Sequence, residues 1–256
     1  MNRSIVIILM CGVSAMAQPK CSAPLAGIAR DTKQQLRIVD GVSGTFVLRD
    51  TIGEGAIDWA FDGKGGLVNA GTELLTLGAN GAIVQHQTAP QKEAVLGPQS
   101  AFFPEAGELW LGEHKISIDS GVIAGSVIAL GPLQGRDMPL AVCRSNELWL
   151  ISINTANGGV THESQPEGAI GKQACISPAS GSLVLLGDRM LLATTREILI
   201  QTAAGEGRSI PISASRLTRA GAQWVEAEGA GQAAHMIRIK EDGEQVYLLP
   251  AAKERQ

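Results

Sequence analysis

Metal-ligating side chains are few and widely separated in this chain of 256 residues. Zinc sites usually show closely spaced ligands such as H-x-H, H-E-x-x-H or C-x-x-C, and none of these spacings occurs. The loop Asp62-Gly63-Lys64-Gly65 lacks the alternating oxygen ligands of a calcium loop and is typical of a turn. The histidines stand far from one another: His86, His114, His162 and His235. We therefore predict no metal ion and no cofactor.

Carboxylates could carry acid–base chemistry only if the fold brings distant ones together, because glycoside hydrolysis depends on the separation of two carboxyl groups in space. The candidates by residue type are Glu105, Glu108, Glu113, Asp119 and Glu147. Charged residues are rarely buried, so exposed positions on turns and outer strands are the favoured interpretation. The G-x-S-x-G elbow of many serine hydrolases is also missing. The sequence therefore predicts no catalytic residue.

Cys143 and Cys175 are candidates for a disulfide. Each follows a short apolar segment and precedes a polar turn, in LAVCRSN and KQACISP, so we expect them at equivalent ends of first strands in neighbouring repeats. A bridge requires their Cα atoms to lie within about 7 Å, and would stabilise the fold by about 3–4 kcal/mol. The alternative is a pair of small buried thiols. Cys21 could pair with either of them, pair with a second chain, or stay free.

Trp110 and Trp149 occupy the same slot of a repeated E-L-W-L segment. In a strand, alternate side chains point to opposite faces, so each tryptophan lies on the face opposite its flanking leucines. Packing between neighbouring sheets is the favoured role because the slot repeats. An aromatic platform that binds a sugar or a peptide is the alternative.

The elements that must position these residues form a recurring strand-turn-strand unit. Its copies are GIARDTKQQLRIV, AIDWAFDGKGGLVN, SAFFPEAGELWLG, PLAVCRSNELWLI and ACISPASGSLVLL. Their first leucines after the turn, at positions 36, 67, 109, 148 and 183, are 31, 42, 39 and 35 residues apart. Spacings near 40 residues are typical of one four-stranded blade of a β-propeller. We predict an all-β fold, a single β-propeller with six blades or, alternatively, five, and little or no helix.

The expected blades span residues 24–52, 56–88, 95–133, 138–165, 170–213 and 217–250. In the second blade, Asn80-Gly81 between two apolar runs predicts a hairpin with a type I′ turn. The ring closes either through a strand that the first blade borrows from the C-terminal YLLP segment, or between complete blades.

The N-terminus, MNRSIVIILMCGVSAMAQ, is typical of a secretory signal peptide cleaved after Ala17. Its apolar run is shorter than the roughly 20 residues that span a bilayer. We therefore expect residues 1–17 to be removed and residues 18–256 to form one propeller domain, without membrane insertion. The formal charge of −4 becomes −5 without Arg3. Because charges are scattered and no basic stripe exists, nucleic acid is an unlikely partner.

The second blade, with D-G-K-G-G-L and E-L-L-T-L-G-A-N-G-A-I-V, resembles the broad group of bacterial propellers with NHL, YVTN and PQQ-like repeats. The resemblance covers nearly the whole mature chain and implies the fold and an extracytoplasmic setting, either periplasmic or secreted. It carries over no catalytic residue. We expect a non-enzymatic, monomeric binding module for a protein, peptide or glycan. The alternatives are a hydrolase or lyase that gathers carboxylates, possibly with a divalent cation, and a structural subunit of an envelope assembly.

Overall fold

A computed structural model describes residues 25–42, 45–53, 55–176, 181–202, 204–229 and 234–249. Within these ranges the chain is all-β and forms six antiparallel sheets, which together make a six-bladed β-propeller. Each sheet is a meander in which strands that follow one another in the chain pair as neighbours. Such local pairing needs only short hairpin turns, which the glycine-rich sequence supplies.

The strands of the first three sheets follow in chain order. The first sheet contains β1 (Leu25–Arg30), β2 (Leu36–Val42) and β3 (Thr45–Gly53). The second contains β4 (Asp58–Phe61), β5 (Gly66–Asn69), β6 (Glu73–Leu77) and β7 (Ile83–Thr88). The third contains β8 (Val95–Gly97), β9 (Ser100–Phe103), β10 (Glu108–Leu111) and β11 (His114–Ser117).

The remaining sheets repeat this arrangement. The fourth contains β12 (Ser126–Leu130), β13 (Asp137–Arg144), β14 (Glu147–Asn154) and β15 (Val160–Ser164). The fifth contains β16 (Leu183–Leu186), β17 (Arg189–Ala193), β18 (Ile198–Thr202) and β19 (Gly207–Ile210), and the sixth contains β20 (Arg216–Arg219), β21 (Trp224–Glu228), β22 (His235–Lys240) and β23 (Gly243–Leu248). Two short helices, α1 (Ser120–Ile123) and α2 (Ala169–Gln173), precede the fourth and fifth sheets.

The first strands of the five four-stranded sheets line the central channel. They contact one another in a closed cycle, from β4 to β8, β12, β16 and β20 and back to β4. The core lies between the sheets, where aliphatic side chains from both neighbours pack together. The described residues thus place six sheets around a channel whose wall has five strands.

The first sheet is a wedge between the sixth and the second sheet. Its β1 contacts the second strand of the sixth sheet, β21, and the Ile28 amide donates a hydrogen bond to the Ala220 carbonyl at 3.0 Å. Gly27 is required here because a Cβ at that position would lie 2.1 Å from the Ala220 oxygen. The C-terminal strand β23 pairs with β22 in its own sheet. Within the described residues the ring therefore closes between separate sheets, and the C-terminal strand stays in the sixth sheet.

The six-sheet prediction is confirmed, but the predicted repeats are out of register with the sheets. Leu183 lies in the first strand of its sheet, Leu67 in the second strand, and Leu109 in the third. The segment 126–130, assigned to the end of the third blade, is the channel-lining strand β12 of the fourth sheet. These errors share one cause, because every hairpin within a blade shows the same apolar–turn–apolar pattern.

The hairpin at Asn80-Gly81 is confirmed, but its turn is not type I′. The loop runs from Gly78 to Ala82, and of the central pair only Gly81 has a positive φ, 77°. The Asn80 side-chain oxygen instead accepts a hydrogen bond from the Ala82 amide at 3.1 Å. Two consecutive positive φ values occur at Ser145 and Asn146, 49° and 67°, in the turn between β13 and β14.

The described part of the chain has no helix that is both long enough and apolar enough to cross a membrane.

Candidate functional site

The carboxylates proposed from residue type serve separate local contacts. Glu108 accepts a hydrogen bond from Trp110 Nε1 at 2.8 Å, and Asp119 accepts one from the Gly121 amide at 2.8 Å. Glu147 is hydrogen-bonded to Gln165 Nε2 at 2.8 Å, Glu113 lies 3.3 Å from Gln85 Nε2, and Glu105 is exposed on a turn. The geometry therefore gives these five side chains no shared reaction centre.

The histidines likewise lie on different sheets. His86 Nδ1 is 3.7 Å from Glu73 Oε2 on the second sheet, and His114 Nε2 is 3.3 Å from the Thr155 carbonyl. His162 and His235 belong to the fourth and sixth sheets. Among the residues that the structure describes, no group of three or more His, Cys, Asp or Glu side chains is arranged to hold a metal ion.

Trp110 and Trp149 lie in the third strands of the third and fourth sheets and pack toward the preceding sheet in each case. Trp110 is buried against Leu67 and Leu74 of the second sheet, with the Phe103 ring at a centroid distance of 4.8 Å. Trp149 is half-buried against apolar residues of the third sheet. Trp110 thus fills the space between two blades, and Trp149 packs into the next such space with part of its surface exposed.

The Cys143–Cys175 disulfide is confirmed, with Cα atoms 5.5 Å apart. The predicted reason for it is wrong, because the two cysteines are not at equivalent positions. Cys143 lies near the end of β13, a second strand, whereas Cys175 follows α2 in the connection to the fifth sheet. The bridge therefore fastens this connection to the fourth sheet. Cys21 lies outside the described residues.

A surface cleft lies beside this fastened connection. It has a volume of about 550 Å³ and is bounded by the β13–β14 turn on one side and by the segment leading into α2 on the other. Its polar side chains are exposed and carry both signs of charge: Asn146, Glu147, Gln165, Glu167 and Lys172. Pro166 adds apolar surface, and the buried Leu148 lies behind it. The cleft falls in the size range of typical ligand sites, about 300–1,000 Å³.

A second group of polar side chains, the closure cluster, is buried where the sixth, first and second sheets meet. It comprises Arg30, Asp58, Arg216, Glu226 and Glu228, arranged around Trp59. Arg216 Nη2 of β20 hydrogen-bonds Asp58 Oδ1 of β4 in an ion pair. The Arg30 and Arg216 guanidinium carbons lie 4.6 and 5.4 Å from the centre of the Trp59 ring, within the range of cation–π attraction. The cluster therefore joins three sheets at the point of closure.

Glu226 holds the inner edge of the first sheet. Its Oε1 accepts a hydrogen bond from the Arg30 backbone amide at 2.8 Å, where a regular sheet would offer the carbonyl of another strand. Arg30 Nε also lies 3.6 Å from Glu228 Oε1. Glu226 has no exposed surface, so a substrate cannot reach its carboxyl group. Glu226 therefore stabilises the junction between the first and sixth sheets.

Burial and the neighbouring Glu228 carboxylate raise the pKa of Glu226 well above its ordinary value of 4.5, against the lowering effect of its hydrogen bond from Arg30. Burial also raises the pKa of Asp58, although Arg216 opposes this. The Oε2 atom of Glu226 and the Oγ1 atom of Thr218 have no hydrogen-bond partner among the described residues, and the two residues occupy paired positions on β20 and β21. A proton on Glu226 is thus favoured by burial and by the neighbouring Glu228 carboxylate.

This shift predicts that the protein becomes less stable as pH rises. Above the unfolded pKa of Glu226, the folded state binds more protons than the unfolded state, so the free energy of unfolding falls until pH passes the folded pKa. Urea denaturation between about pH 5 and pH 8 should show this decline. Glu226→Gln keeps an acceptor for the Arg30 amide without the charge, and should flatten the pH dependence and raise stability at pH 8. Exposed Glu241→Gln is the control, and an equal slope in both variants would contradict the assignment.

Comparison with known proteins gives distant structural similarity alone. No family model and no curated protein matches the chain. Among solved structures, it is similar to PorZ, described as an essential surface component of the type-IX secretion system of Porphyromonas gingivalis, at 10% identity and a TM-score of 0.46, over 90% of this chain and 32% of that one. Kluyveromyces lactis Hsv2 matches at 10% identity and a TM-score of 0.42, over 87% of this chain and 81% of that one. The WD40 domain of Toxoplasma gondii coronin matches at 11% identity and a TM-score of 0.42, over 89% of this chain and 71% of that one.

These similarities are too distant to support a functional argument. They also do not confirm the resemblance to NHL, YVTN and PQQ-like repeats.

Proposed function

We propose that this propeller is a non-enzymatic binding module and that the cleft between the β13–β14 turn and α2 is its ligand site. The observation that carries the proposal is the cleft itself, with a volume of about 550 Å³ and polar groups on both walls. Ligand sites are usually concave and place a small number of polar groups around the ligand. The disulfide supports this role because it fastens one wall to a strand of the other, which reduces the ordering cost of binding.

The lining chemistry favours a polar peptide segment over a glycan. The cleft contains carboxylate, amide and ammonium groups but no aromatic side chain among its lining residues. Aromatic side chains are the usual contact for the apolar faces of sugar rings. Glu147 and Lys172 provide opposite charges that can engage peptide side chains of opposite sign and the backbone's polar groups. A peptide strand or loop of a partner protein can form hydrogen bonds and ion pairs with all of these groups.

We also propose that the protein acts outside the cytoplasm, periplasmic or secreted, after cleavage behind Ala17, with residues 18–256 as the mature monomeric propeller. The disulfide supports this setting, because such bonds persist in oxidising compartments. Membership in the NHL, YVTN and PQQ-like repeat group remains a prediction from the second blade.

The peptide proposal can be tested with a phage-displayed library of random peptides panned against the mature protein. Enriched peptides should bind the wild type, and Lys172→Glu should weaken binding by about tenfold or more, as expected for loss and reversal of one charge contact. Isothermal titration calorimetry measures the change. Lys64→Glu, on an exposed turn of the second sheet, is the matched control and should bind as the wild type does.

Other results would contradict the proposal in distinct ways. Peptides that bind Lys172→Glu and wild type equally would move the site away from the cleft. A glycan array that gives cleft-dependent binding when no peptide is enriched would replace the ligand class. Turnover of a lactone or glycoside substrate would restore the hydrolase alternative.

A further inference from the structure

The channel wall contains a partly buried cation, Arg219, whose guanidinium forms no hydrogen bond with a side chain among the described residues. Arg219 is the last residue of β20 and lines a cavity of about 30 Å³ inside the channel. The surroundings of Arg219 in that cavity include Gly97, Pro98, Leu130 and Leu185. A volume of this size accommodates about one or two water-sized species.

Two nitrogen atoms of the Arg219 guanidinium are available as hydrogen-bond donors. Its Nε and Nη1 atoms are buried and have no hydrogen-bond partner within the described ranges. Asp62 is the acidic residue whose charge acts on Arg219, but Asp62 Oδ1 already accepts hydrogen bonds from the amides of Lys64 and Gly65 at 2.8 and 3.0 Å. Burial lowers the pKa of Arg219, and the Asp62 charge opposes this effect.

Arg216, three residues earlier on the same strand, shows the contrasting arrangement, because it forms an ion pair with Asp58. This pairing also neutralises Asp58, the carboxylate in the cavity wall. The Thr218 hydroxyl, in a residue only 4% exposed, adds a further polar atom without a partner beside the cavity. The polar groups of the cavity wall that have no partner among the described residues therefore carry positive charge and can donate hydrogen bonds.

An arginine does not lose its proton in proteins, and buried N–H donors without an acceptor, such as Nε and Nη1 of Arg219, are costly. We propose that the channel binds one small, acceptor-only anion through Arg219, either a halide or a single carboxylate group. Both offer lone pairs to the planar guanidinium and carry no donor that would need a partner in the apolar part of the wall. The site is independent of the surface cleft, so the two proposals can fail separately.

Chlorine NMR line widths of sodium chloride titrated with the full mature protein test the site. Bound chloride should broaden the line in a saturable way, and formate should compete if carboxylates use the same site. Arg219→Met removes the charge at similar length and should reduce the specific broadening at least tenfold. Arg196→Met, at an exposed position, is the matched control and should leave the broadening unchanged.

A crystal of the wild type grown in sodium bromide provides a second readout that does not depend on the variant's folding. An anomalous bromide peak within hydrogen-bond distance of Arg219 Nε or Nη1 supports the proposal. Loss of the specific chloride broadening on addition of formate shows that a carboxylate group uses the same site. The proposal is overturned if neither anion binds, if Arg219→Met and wild type broaden the line equally, or if the crystal shows Arg219 bonded to water or Asp62 alone.

Discussion

Replacement of Arg216 by alanine is expected to lower the free energy of unfolding by about 3 kcal/mol. The substitution leaves the Asp58 carboxylate in a largely buried position without its counter-ion, and a buried charge that loses its partner typically costs about 3–5 kcal/mol. We expect the lower end of this range because 22% of the Arg216 side chain and 14% of the Asp58 side chain remain exposed. The variant also loses one of the two guanidinium groups beside the Trp59 ring.

Urea denaturation followed by circular dichroism measures this loss. The contact between His86 Nδ1 and Glu73 Oε2 offers a control, since 61% and 56% of these two side chains are exposed. His86→Ala should therefore cost no more than about 1 kcal/mol. If the loss comes from the unpaired Asp58 carboxylate, adding Asp58→Asn to Arg216→Ala should recover part of the stability, because the uncompensated charge is gone. Equal losses in Arg216→Ala and His86→Ala would show that the Arg216–Asp58 pair contributes no more than an exposed contact.

Removal of the Cys143–Cys175 disulfide is expected to cost about 3–4 kcal/mol, which is the chain entropy of a closed loop of this length. The bridge spans 32 residues and is the covalent link between β13 and the connection that carries α2. Cys175 is 1% exposed and packs with Ile170 and Leu183, so the Cys143→Ala and Cys175→Ala double variant retains a small apolar side chain at both positions. The loss in the free energy of unfolding should therefore come from the missing bridge more than from changed packing.

Denaturation with and without a thiol reductant separates these two contributions. Reductant should destabilise the wild type by nearly the same amount as the double substitution and should have no effect on the double variant. A Cys21→Ala variant controls for rearranged bridges and should match the wild type. A wild type that is insensitive to complete reduction, verified by mass spectrometry after alkylation, would contradict the expected contribution.

The number of sheets followed from the sequence, whereas their register did not. Apolar strands separated by glycine-containing turns imply hairpins, and enough hairpins at this spacing imply a propeller. The same pattern describes the first, second and third hairpins of any blade. Leu109 and Leu183 therefore look equivalent in sequence, although one lies in a third strand and the other lines the channel. The disulfide was predicted on this mistaken equivalence, and its true geometry depends on a short helix that the pattern does not reveal.

The closure cluster was missed because period-two alternation has a different meaning inside a propeller. In Trp224-Val225-Glu226-Ala227-Glu228, alternation predicts that the acids face solvent. Each sheet is covered on both faces by its neighbours, however, so Glu226 is completely buried on the face opposite Val225. An acid between apolar residues in a non-edge strand is the signal that could have indicated a buried ion pair. Asp58 likewise lies between apolar residues, Ile57 and Trp59, although β4 is the first strand of its sheet.

The closure between separate sheets also sets the order in which the molecule can fold. Each meander pairs strands that are close in sequence and can form early, whereas Asp58 and Arg216 are 158 residues apart and Arg30 and Glu226 are 196 apart. Contacts with such long sequence separation pay a large loop-closure entropy and slow the folding of β proteins. Assembly of the ring is therefore expected to wait for this junction, and a chain arrested just before it would expose β4 and β20 as open edges, the surfaces at which misassembly between molecules begins.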